Sequence, residues 1–180
     1  MSTAPGAIAL RPARPDDAAP LFDWANDPAT RAASFDRAPI PWPEHLTWLT
    51  VVLADPERRL WIAEEGGIAV GQVRVDRAPD DIGVVSIGLA PGARGRGLGR
   101  TVLGLGVAAA IRELGIRRAR AVVMAANLPS RRLFEGAGFV AVAEAGVAPG
   151  ADLSGDPAAL IMEADLTSGR PEETDPGPGR

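Results

Sequence analysis

The sequence contains no cysteine and no tyrosine, and His45 is its single histidine. The lack of cysteine excludes a disulfide framework, a thiol nucleophile and any metal site with cysteine ligands. The lack of tyrosine, together with the single histidine, leaves two of the commonest acid–base side chains nearly unavailable. Any proton-transfer chemistry must therefore rest on few candidate residues.

Long apolar runs are also missing. The longest covers residues 102–111, whereas a membrane-spanning helix needs roughly 20 apolar residues. The N-terminus lacks the apolar segment of a signal peptide. The net charge of -4 argues against broad nucleic-acid binding, because proteins of that class usually carry a basic excess. We expect a cytoplasmic protein with neither a nucleic-acid nor a membrane partner.

The order of the elements predicts a mixed α/β fold. Strand-like runs cover residues 8–11, 60–63, 69–75, 83–89, 121–124, 139–144 and 160–164, and helical patterns cover residues 16–26, 43–53, 101–114 and 129–137. Residues 64–67 form a hairpin turn, and residues 29–43 are expected to form a loop. A sheet that begins with hairpins and ends with a strand–helix–strand unit is typical of mixed α/β proteins. Residues 1–167 are the predicted domain, and residues 168–180 a disordered tail.

The most informative motif is the glycine-rich turn of residues 94–100, which lies between a predicted strand and a predicted helix. Its sequence is Arg94-Gly95-Arg96-Gly97-Leu98-Gly99-Arg100. The first amides of a helix lack internal acceptors and carry the positive end of its dipole, so the turn favours a phosphate. The spacing fits neither the dinucleotide-binding G-x-G-x-x-G pattern nor a P-loop. A tight turn with no ligand is the alternative.

A second motif narrows these alternatives. It reads Asn127-Leu128-Pro129-Ser130-Arg131-Arg132-Leu133-Phe134-Glu135-Gly136-Ala137-Gly138-Phe139. Together with the Arg-x-x-Gly-x-Gly of residues 94–99, it resembles the two cofactor motifs of the GNAT superfamily of N-acetyltransferases. The preceding order of strands and turns is similar to that family too, and the resemblance covers residues 7–166. It implies the GNAT acyltransferase fold, a mixed central sheet flanked by helices.

The resemblance implies acetyl-CoA as the co-substrate and no metal. Amides of the turn would hold the pyrophosphate, and the edge of the preceding strand would pair with the pantetheine amides like an added strand. The expected cofactor-binding residues are Ile87, Gly88, Leu89, Arg94, Gly95, Arg96, Gly97, Leu98, Gly99, Arg100, Thr101, Asn127, Ser130, Arg131 and Phe134. Asn127 and Ser130 are also common helix-start residues, so a structural role is open for both.

The sequence departs from the family pattern at two chemical positions. Many relatives supply a proton from a tyrosine where this chain has Phe134, which cannot donate one. Some relatives carry a glutamate base on the strand before the asparagine, but residues 121–126 contain no titratable side chain. Neutralising a lysine-like amine of pKa 10.4 at pH 7 costs about 4.6 kcal/mol, and an amine of pKa 8 about 1.4 kcal/mol. We therefore expect an acceptor amine of low pKa.

The N-terminal third carries a further resemblance. The residues that carry it are Arg11-Pro12-Ala13, Trp24-Ala25-Asn26-Asp27-Pro28, Arg31, Ser34-Phe35, Ile40, His45 and Trp48. They are similar to the opening of N-acetyltransferases of pseudaminic-acid biosynthesis, which act on the 4-amino group of a UDP-linked deoxy-amino sugar. This resemblance implies substrate-binding roles for Asn26, Asp27, Arg31, Ser34, Phe35, His45, Trp48 and Arg74. The alternatives are that His45 and Trp48 only pack, and that Asn26-Asp27-Pro28 only ends a helix.

The candidate catalytic residues are His45, Asp81 and Ser86. His45 is a candidate base because its ordinary pKa is near 6.5. Asp81 and Ser86 could order a water that relays a proton. We expect direct attack in a ternary complex, because no cysteine is present to form an acyl-enzyme.

The predicted function is transfer of acetyl to the primary amine of a small molecule, most readily an amino sugar or a nucleotide-linked amino sugar. One alternative acceptor is a protein N-terminus or a ribosomal-protein amine. A second alternative is a non-catalytic acyl-CoA-binding sensor. A homodimer is compatible with the sequence.

Overall fold

A mixed sheet dominates the computed structural model, which describes residues 6–142 and 159–167. The strands in these ranges are β1 (Ile8–Pro12), β2 (Arg58–Glu65), β3 (Ile68–Ala78), β4 (Ile82–Leu89), β5 (Arg118–Met124), β6 (Val140–Ala141) and β7 (Ala159–Asp165). The helices there are α1 (Ala18–Asn26), α2 (Pro28–Ala32), α3 (Trp42–Ala54), α4 (Leu98–Leu114) and α5 (Leu128–Gly136). The strand order is β1-β2-β3-β4-β5-β7-β6. The β4–β5 pair is parallel and the other pairs described are antiparallel, which confirms the predicted mixed α/β class.

Alternation along the strands sends side chains to two different layers. Trp61 and Ala63 of β2 join the larger core under α4, whereas Leu60 and Ile62 join the smaller core with α1 and α3. Helix α4 lies very close to the sheet, since a Cβ at Gly106 would sit 2.6 Å from a Val73 methyl. A larger side chain at Gly106 would push α4 off the strands.

Two tight turns join the central antiparallel strands. The predicted hairpin between β2 and β3 is confirmed, with Gly66 and Gly67 at φ of 59° and 82°. The β3–β4 turn places Asp80 and Asp81 at φ of 61° and 55°. Positive φ at successive residues matches the right-handed twist of the strands, and Asp tolerates it better than most residues. Both turns thus hold β2, β3 and β4 in register.

Strands β4 and β5 pair only at one end. Their register covers Ile82 with Arg118, Gly83 with Ala119 and Val84 with Arg120. Beyond Val84 the two strands diverge, although β4 remains paired with β3 through Leu89. The sheet therefore contains an opening between β4 and β5, closed at Val84 and widening toward the glycine-rich turn.

The predicted loop over residues 29–43 was partly wrong, because α2 covers Pro28–Ala32 and α3 already begins at Trp42. Asp27 caps α2 by accepting the Thr30 amide at 3.2 Å, and Pro28 occupies its first turn. Both are favoured helix-start residues. Other bounds shift by a few residues, and α4 starts at Leu98 rather than residue 101. Residues 143–144 and the predicted tail 168–180 lie outside the described residues.

A buried ion network fastens the start of α1 to the sheet. The guanidinium of Arg11 bonds both oxygens of Asp17, at 2.7 and 2.8 Å, and Glu64 Oε1 at 2.6 Å. Asp17 also accepts the Arg14 amide at 2.7 Å. The Arg11 contact is the main cause that lowers the pKa of Asp17 below its ordinary value. A lowered carboxyl pKa stabilises the fold above the unfolded-state value, and this stabilisation is lost as the pH falls through the folded-state pKa.

We predict that Asp17→Asn lowers the free energy of unfolding at pH 7 by about 2 kcal/mol. The reason is loss of a charged acceptor that serves Arg11 and the Arg14 amide together. Urea unfolding at a series of pH values measures the difference, which should shrink as the pH falls below 3.8, the ordinary value for Asp. Asp16→Asn is the matched control, because Asp16 is the exposed neighbour. Equal destabilisation by both substitutions would contradict the assigned role of the network.

Candidate functional site

The turn between β4 and α4 presents main-chain amides to open space. Gly95 and Gly97 have φ of 72° and 77°, in the left-handed region that glycine adopts without strain. Gly97 is the N-cap of α4 and offers no side-chain cap, so the first amides of α4 have no acceptor within the helix. A Cβ at Gly95 or Gly97 would meet nothing within 4 Å. Amides, helix dipole and free space together suit a phosphate-bearing ligand.

The three arginines of this turn bind other protein groups. Arg94 reaches Asp27 Oδ2 at 2.6 Å, Thr30 Oγ1 at 2.8 Å and the Leu89 carbonyl at 3.3 Å. Arg96 bonds the two oxygens of Glu65 at 2.9 and 2.7 Å. Arg100 donates to the Gly136 carbonyl. The arginine side chains therefore brace the turn against α2, β2 and α5, and the amides are the groups left facing outward.

The free edge of β4 leads from this turn into the sheet. Ala90 donates its amide to the Val70 carbonyl at 2.9 Å. Because main-chain groups alternate in direction along a strand, those of Ile87 and Leu89 point away from β3. They face the opening between β4 and β5. Gly88, between them, pairs with Gln72 of β3.

The downstream motif lies beside the turn. A Cβ at Gly99 would approach a Leu133 methyl to 3.3 Å, so α4 and α5 pack closely. Asn127 Oδ1 caps α5 by accepting the Ser130 amide at 3.2 Å, which is the structural role left open by the sequence. Phe134 is 3% exposed and packs edge-on against Phe139, with ring centroids 5.0 Å apart.

The predicted substrate-binding residues of α1 and α2 largely hold one another in place. Asn26 exchanges two hydrogen bonds with the main chain of Ile40, at 3.1 and 2.7 Å. Arg31 bonds the Ala25 carbonyl at 2.7 Å and Ser34 Oγ at 3.1 Å. Phe35 is half-buried on the same segment. These contacts fix the chain between α1 and α3, and the proposed substrate contacts of these residues stay predictions.

His45 lies in an aromatic cluster on α3. Its ring is 2% exposed and is surrounded by Phe22, Trp42 and Trp48, with centroid distances of 5.4 to 5.8 Å. Its Nε2 lies 2.8 Å from the Ala18 carbonyl. One ring nitrogen is thus committed to the main chain, an arrangement that favours packing over proton transfer. The catalytic role of His45 stays a prediction.

The other two catalytic candidates lie at different places along β4. Asp81 is in the β3–β4 turn, bonded to Arg77 at 3.0 Å, and its carbonyl accepts the Arg117 amide at 2.8 Å. A strand of this length separates it from the glycine-rich turn by roughly 23 Å. Ser86 is exposed and pairs with Arg74 of β3. The structure therefore brings Ser86, but not Asp81, to the middle of the opening.

The sequence analysis missed Asp76. This residue lies on β3, two positions beyond Arg74, with which it forms an ion pair at 3.2 Å. Its side chain is 14% exposed, and burial is the main cause that raises its pKa. Every second residue of a strand lies on the same face, so the spacing already indicated that β3 carries Gln72, Arg74 and Asp76 on one face. The Arg94 contact with Asp27 was missed as well, because 67 positions separate the two residues.

Comparisons with known proteins agree with this geometry. The model of the acetyltransferase (GNAT) domain family matches residues 8–140. No curated protein matches the chain. Over the described residues, no helix has the length and apolar character required to cross a membrane.

Solved structures share the fold at low sequence identity. A putative acetyltransferase from Salmonella typhimurium, solved with acetyl-CoA, is 23% identical with a TM-score of 0.69, covering 95% of this chain and 98% of its own. A ribosomal-protein-alanine N-acetyltransferase from Brucella melitensis is 24% identical with a TM-score of 0.70, covering 88% and 99%. An aminoglycoside acetyltransferase solved with coenzyme A is 17% identical with a TM-score of 0.71, covering 88% of this chain and 95% of its own.

The family match covers well over half of the chain and contains the elements that build the site. It confirms the predicted fold, the predicted enzyme class and acetyl-CoA as co-substrate. The chain belongs to the GNAT acetyltransferase family, whose members transfer an acetyl group from acetyl-CoA to an amine.

Proposed function

We propose that this protein acetylates the primary amine of a small molecule, with an amino sugar or a nucleotide-linked amino sugar as the preferred acceptor. The observation that carries the proposal is the opening between β4 and β5, which leads from the glycine-rich turn to a polar face of the sheet. The end at the glycine-rich turn suits a pyrophosphate, and the end at the polar face suits a polar acceptor. Acetyl-CoA supplies the activated acetyl group, and the chain supplies binding, orientation and proton transfer.

The residues present fit acetyl-CoA. The amides from Gly95 to Arg100 would bind the pyrophosphate, and the open space before Gly95 and Gly97 leaves room for it. The main-chain groups of Ile87 and Leu89 would pair with the amides of the pantetheine arm. The side-chain oxygen of Asn127 already accepts the Ser130 amide that begins α5. Its Nδ2 group would donate a hydrogen bond to the pantetheine arm. The reactive end would then point toward Val84, where the opening closes.

The face beside the opening suits a polar acceptor. Gln72, Arg74 and Ser86 are grouped there by the β3–β4 register. The Arg74 guanidinium lies 5.7 Å from the centre of the Trp48 ring, at the outer edge of cation–π range. Sugars bind well to such mixtures of hydrogen-bonding groups and aromatic faces. Glu44 and Trp48 also line a shallow groove on α3, which could admit part of a larger acceptor.

Proteins that share the fold acetylate other amines, and these amines are the alternative acceptors. The Brucella melitensis protein is named for ribosomal-protein alanine and another relative for aminoglycosides. A protein N-terminus and an amino sugar share an amine pKa well below that of lysine, which suits a site whose strand before Asn127 carries no glutamate base. The sensor alternative would require acetyl-CoA binding without turnover.

We predict that Gly97→Ala raises the Kd for acetyl-CoA about tenfold. A non-glycine residue in the left-handed region costs about 1 to 2 kcal/mol, and the methyl group would occupy the space before the amides. Isothermal titration with acetyl-CoA measures the change. Gly92→Ala is the matched control, because Gly92 is exposed, has no positive φ and leaves its Cβ free of contacts. An unchanged Kd in Gly97→Ala would remove the turn from the proposed site.

We predict that acceptors with an amine pKa near 8 give the highest kcat/KM. The panel contains a UDP-linked 4-amino sugar, glucosamine, a peptide with a free N-terminal alanine and N-acetyl-lysine amide as the high-pKa control. Neutralising the lysine-type amine at pH 7 costs about 3 kcal/mol more. Release of free coenzyme A thiol is the readout.

The pH dependence of the same panel decides between the alternatives. For the true substrate, log kcat/KM should level off at a pH no higher than the pKa of its amine. A rate that climbs log-linearly far above pH 8 would contradict the low-pKa acceptor. Faster turnover of the peptide would favour the protein N-terminus, and acetyl-CoA binding with no thiol release from any amine would favour the sensor.

A further inference from the structure

Asp76 occupies the row of the sheet where the opening closes. Val84, the last β4 residue paired with β5, lies directly opposite Asp76 on one side and Arg120 on the other. Opposed residues in a sheet project to the same face, with Cβ atoms about 5 Å apart. The Asp76 side chain therefore lies one strand away from the closed end, on the face that α1 and α3 cover.

Three polar atoms on this face lack hydrogen-bond partners. Gln72 Oε1, Arg74 Nε and Asp76 Oδ1 are buried, and none of them has a partner within the part of the chain that the structure describes. Arg74 Nε and Asp76 Oδ1 are 3.2 Å apart, but the pair is not aligned as a hydrogen bond. Buried polar atoms without partners are rare in folded proteins, and an unfilled ligand site is one recognised explanation. These three stand side by side on one strand.

Charged groups surround Asp76 from several elements. Arg58 of β2 lies opposite it and bonds Asp55 at the end of α3, 3.1 Å away. Arg120 of β5 is bonded to Glu163 of β7, with Nε 2.6 Å from Oε1. Burial raises the pKa of Asp76 and the charge of Asp55 adds to this, whereas Arg74 and Arg58 lower it. Burial outweighs the arginines, so the net effect of the fold is to raise the pKa of Asp76 and to disfavour its charged form.

We propose that Asp76 receives the ammonium group of the acceptor at the closed end of the opening and takes its proton. The inference rests on the proposed function and names the base that the sequence did not reveal. Gln72 and Arg74 flank the incoming acceptor, with Gln72 Oε1 accepting from its donors and Arg74 donating to an oxygen of its ring or chain.

The proton and electron balance is simple. One proton moves from the ammonium nitrogen to an Asp76 oxygen, directly or through one water, and frees the nitrogen lone pair. That lone pair forms the C–N bond to the acetyl carbon as the carbon–sulfur bond breaks. The second proton of the nitrogen ends on the sulfur of free coenzyme A, and Asp76 returns its proton to solvent.

A purely structural Asp76 makes the opposite prediction for stability. If the residue only neutralises Arg74 and Arg58, its replacement by asparagine lowers the Tm. If the carboxylate is instead held ionised for function, the raised pKa means that folding disfavours its charged form. Because the raised pKa makes the ionised carboxylate oppose folding, Asp76→Asn then keeps or raises the Tm at neutral pH. Measuring both the Tm and the activity of Asp76→Asn therefore distinguishes a structural role of Asp76 from a catalytic one.

The test compares the parent enzyme with Asp76→Asn. We expect kcat/KM for the best amine to fall about 100-fold or more, and its acidic limb to move up to the pKa of the amine itself, because only the neutral amine then reacts. The Kd for acetyl-CoA should stay within about twofold, because Asp76 lies away from the turn, and the Tm at pH 7 should not fall. Asp55→Asn is the matched control, because it removes a carboxylate from the same charged cluster but lies at the end of α3 and not on the sheet. It should keep the activity and the acidic limb, with the limb moved slightly to lower pH.

Several outcomes would overturn the proposal. They are a loss of activity of less than about threefold, an acidic limb that keeps its parental position in Asp76→Asn, or a lowered Tm with an unchanged pH profile. Should the asparagine variant fail to fold, Asp76→Glu serves instead, and it should keep the acidic limb at a reduced rate. Loss of that limb in Asp76→Glu would count against the role. A parent enzyme that turns over no amine contradicts the proposed function, whereas an active parent with an unaffected Asp76→Asn contradicts this inference alone.

Discussion

The site depends on one constraint, the divergence of β4 from β5 after Val84. Strand β4 is held along its whole length by β3, so its other edge stays extended although no strand of residues 6–142 or 159–167 pairs with it beyond Val84. A strand with one paired and one free edge is a ready template for an extended ligand. Helix α4 begins at the wide end of the same opening and adds its free amides. Pairing at three positions therefore determines both the direction and the end point of the ligand channel.

Arg94 joins the two halves of the site. Its guanidinium bridges Asp27 and Thr30, at the start of α2, to the Leu89 carbonyl at the end of β4. The contact with Arg94 is also the main cause that lowers the pKa of Asp27, so the pair is ionised at neutral pH. The segment predicted to bind the acceptor is thereby positioned by the turn predicted to bind the cofactor. Because the arginines of the turn bind other protein groups, the proposed phosphate site rests on the main-chain amides, whose direction the backbone fixes.

The sequence predicted what local patterns encode. The glycine-rich turn and the helix-start position of Asn127 are local features, and residue type and spacing indicated both. The sheet class followed from the order of strands and helices. Contacts between distant segments could not be found this way. Arg94 was assigned to a phosphate because nothing local indicates that Asp27 would hold it. Asp76 was overlooked because alternation shows which residues share a face, but not which face becomes buried.

The two faces of the sheet differ in how many apolar side chains they carry. This difference explains why a carboxylate such as Asp76 is found under α1 and α3. Under α4 the apolar side chains continue across β2, β3 and β4, through Trp61, Val73 and Val85. Under α1 and α3 the smaller core takes Leu60 and Ile62 from β2 and the partly buried Ala69 from β3, which continues with the polar Gln72, Arg74 and Asp76. Covering polar side chains with helices weakens a fold unless they are paired. The smaller core thus extends little beyond β2, and the polar remainder of that face lies beside the opening, where we propose that an amine meets a desolvated carboxylate.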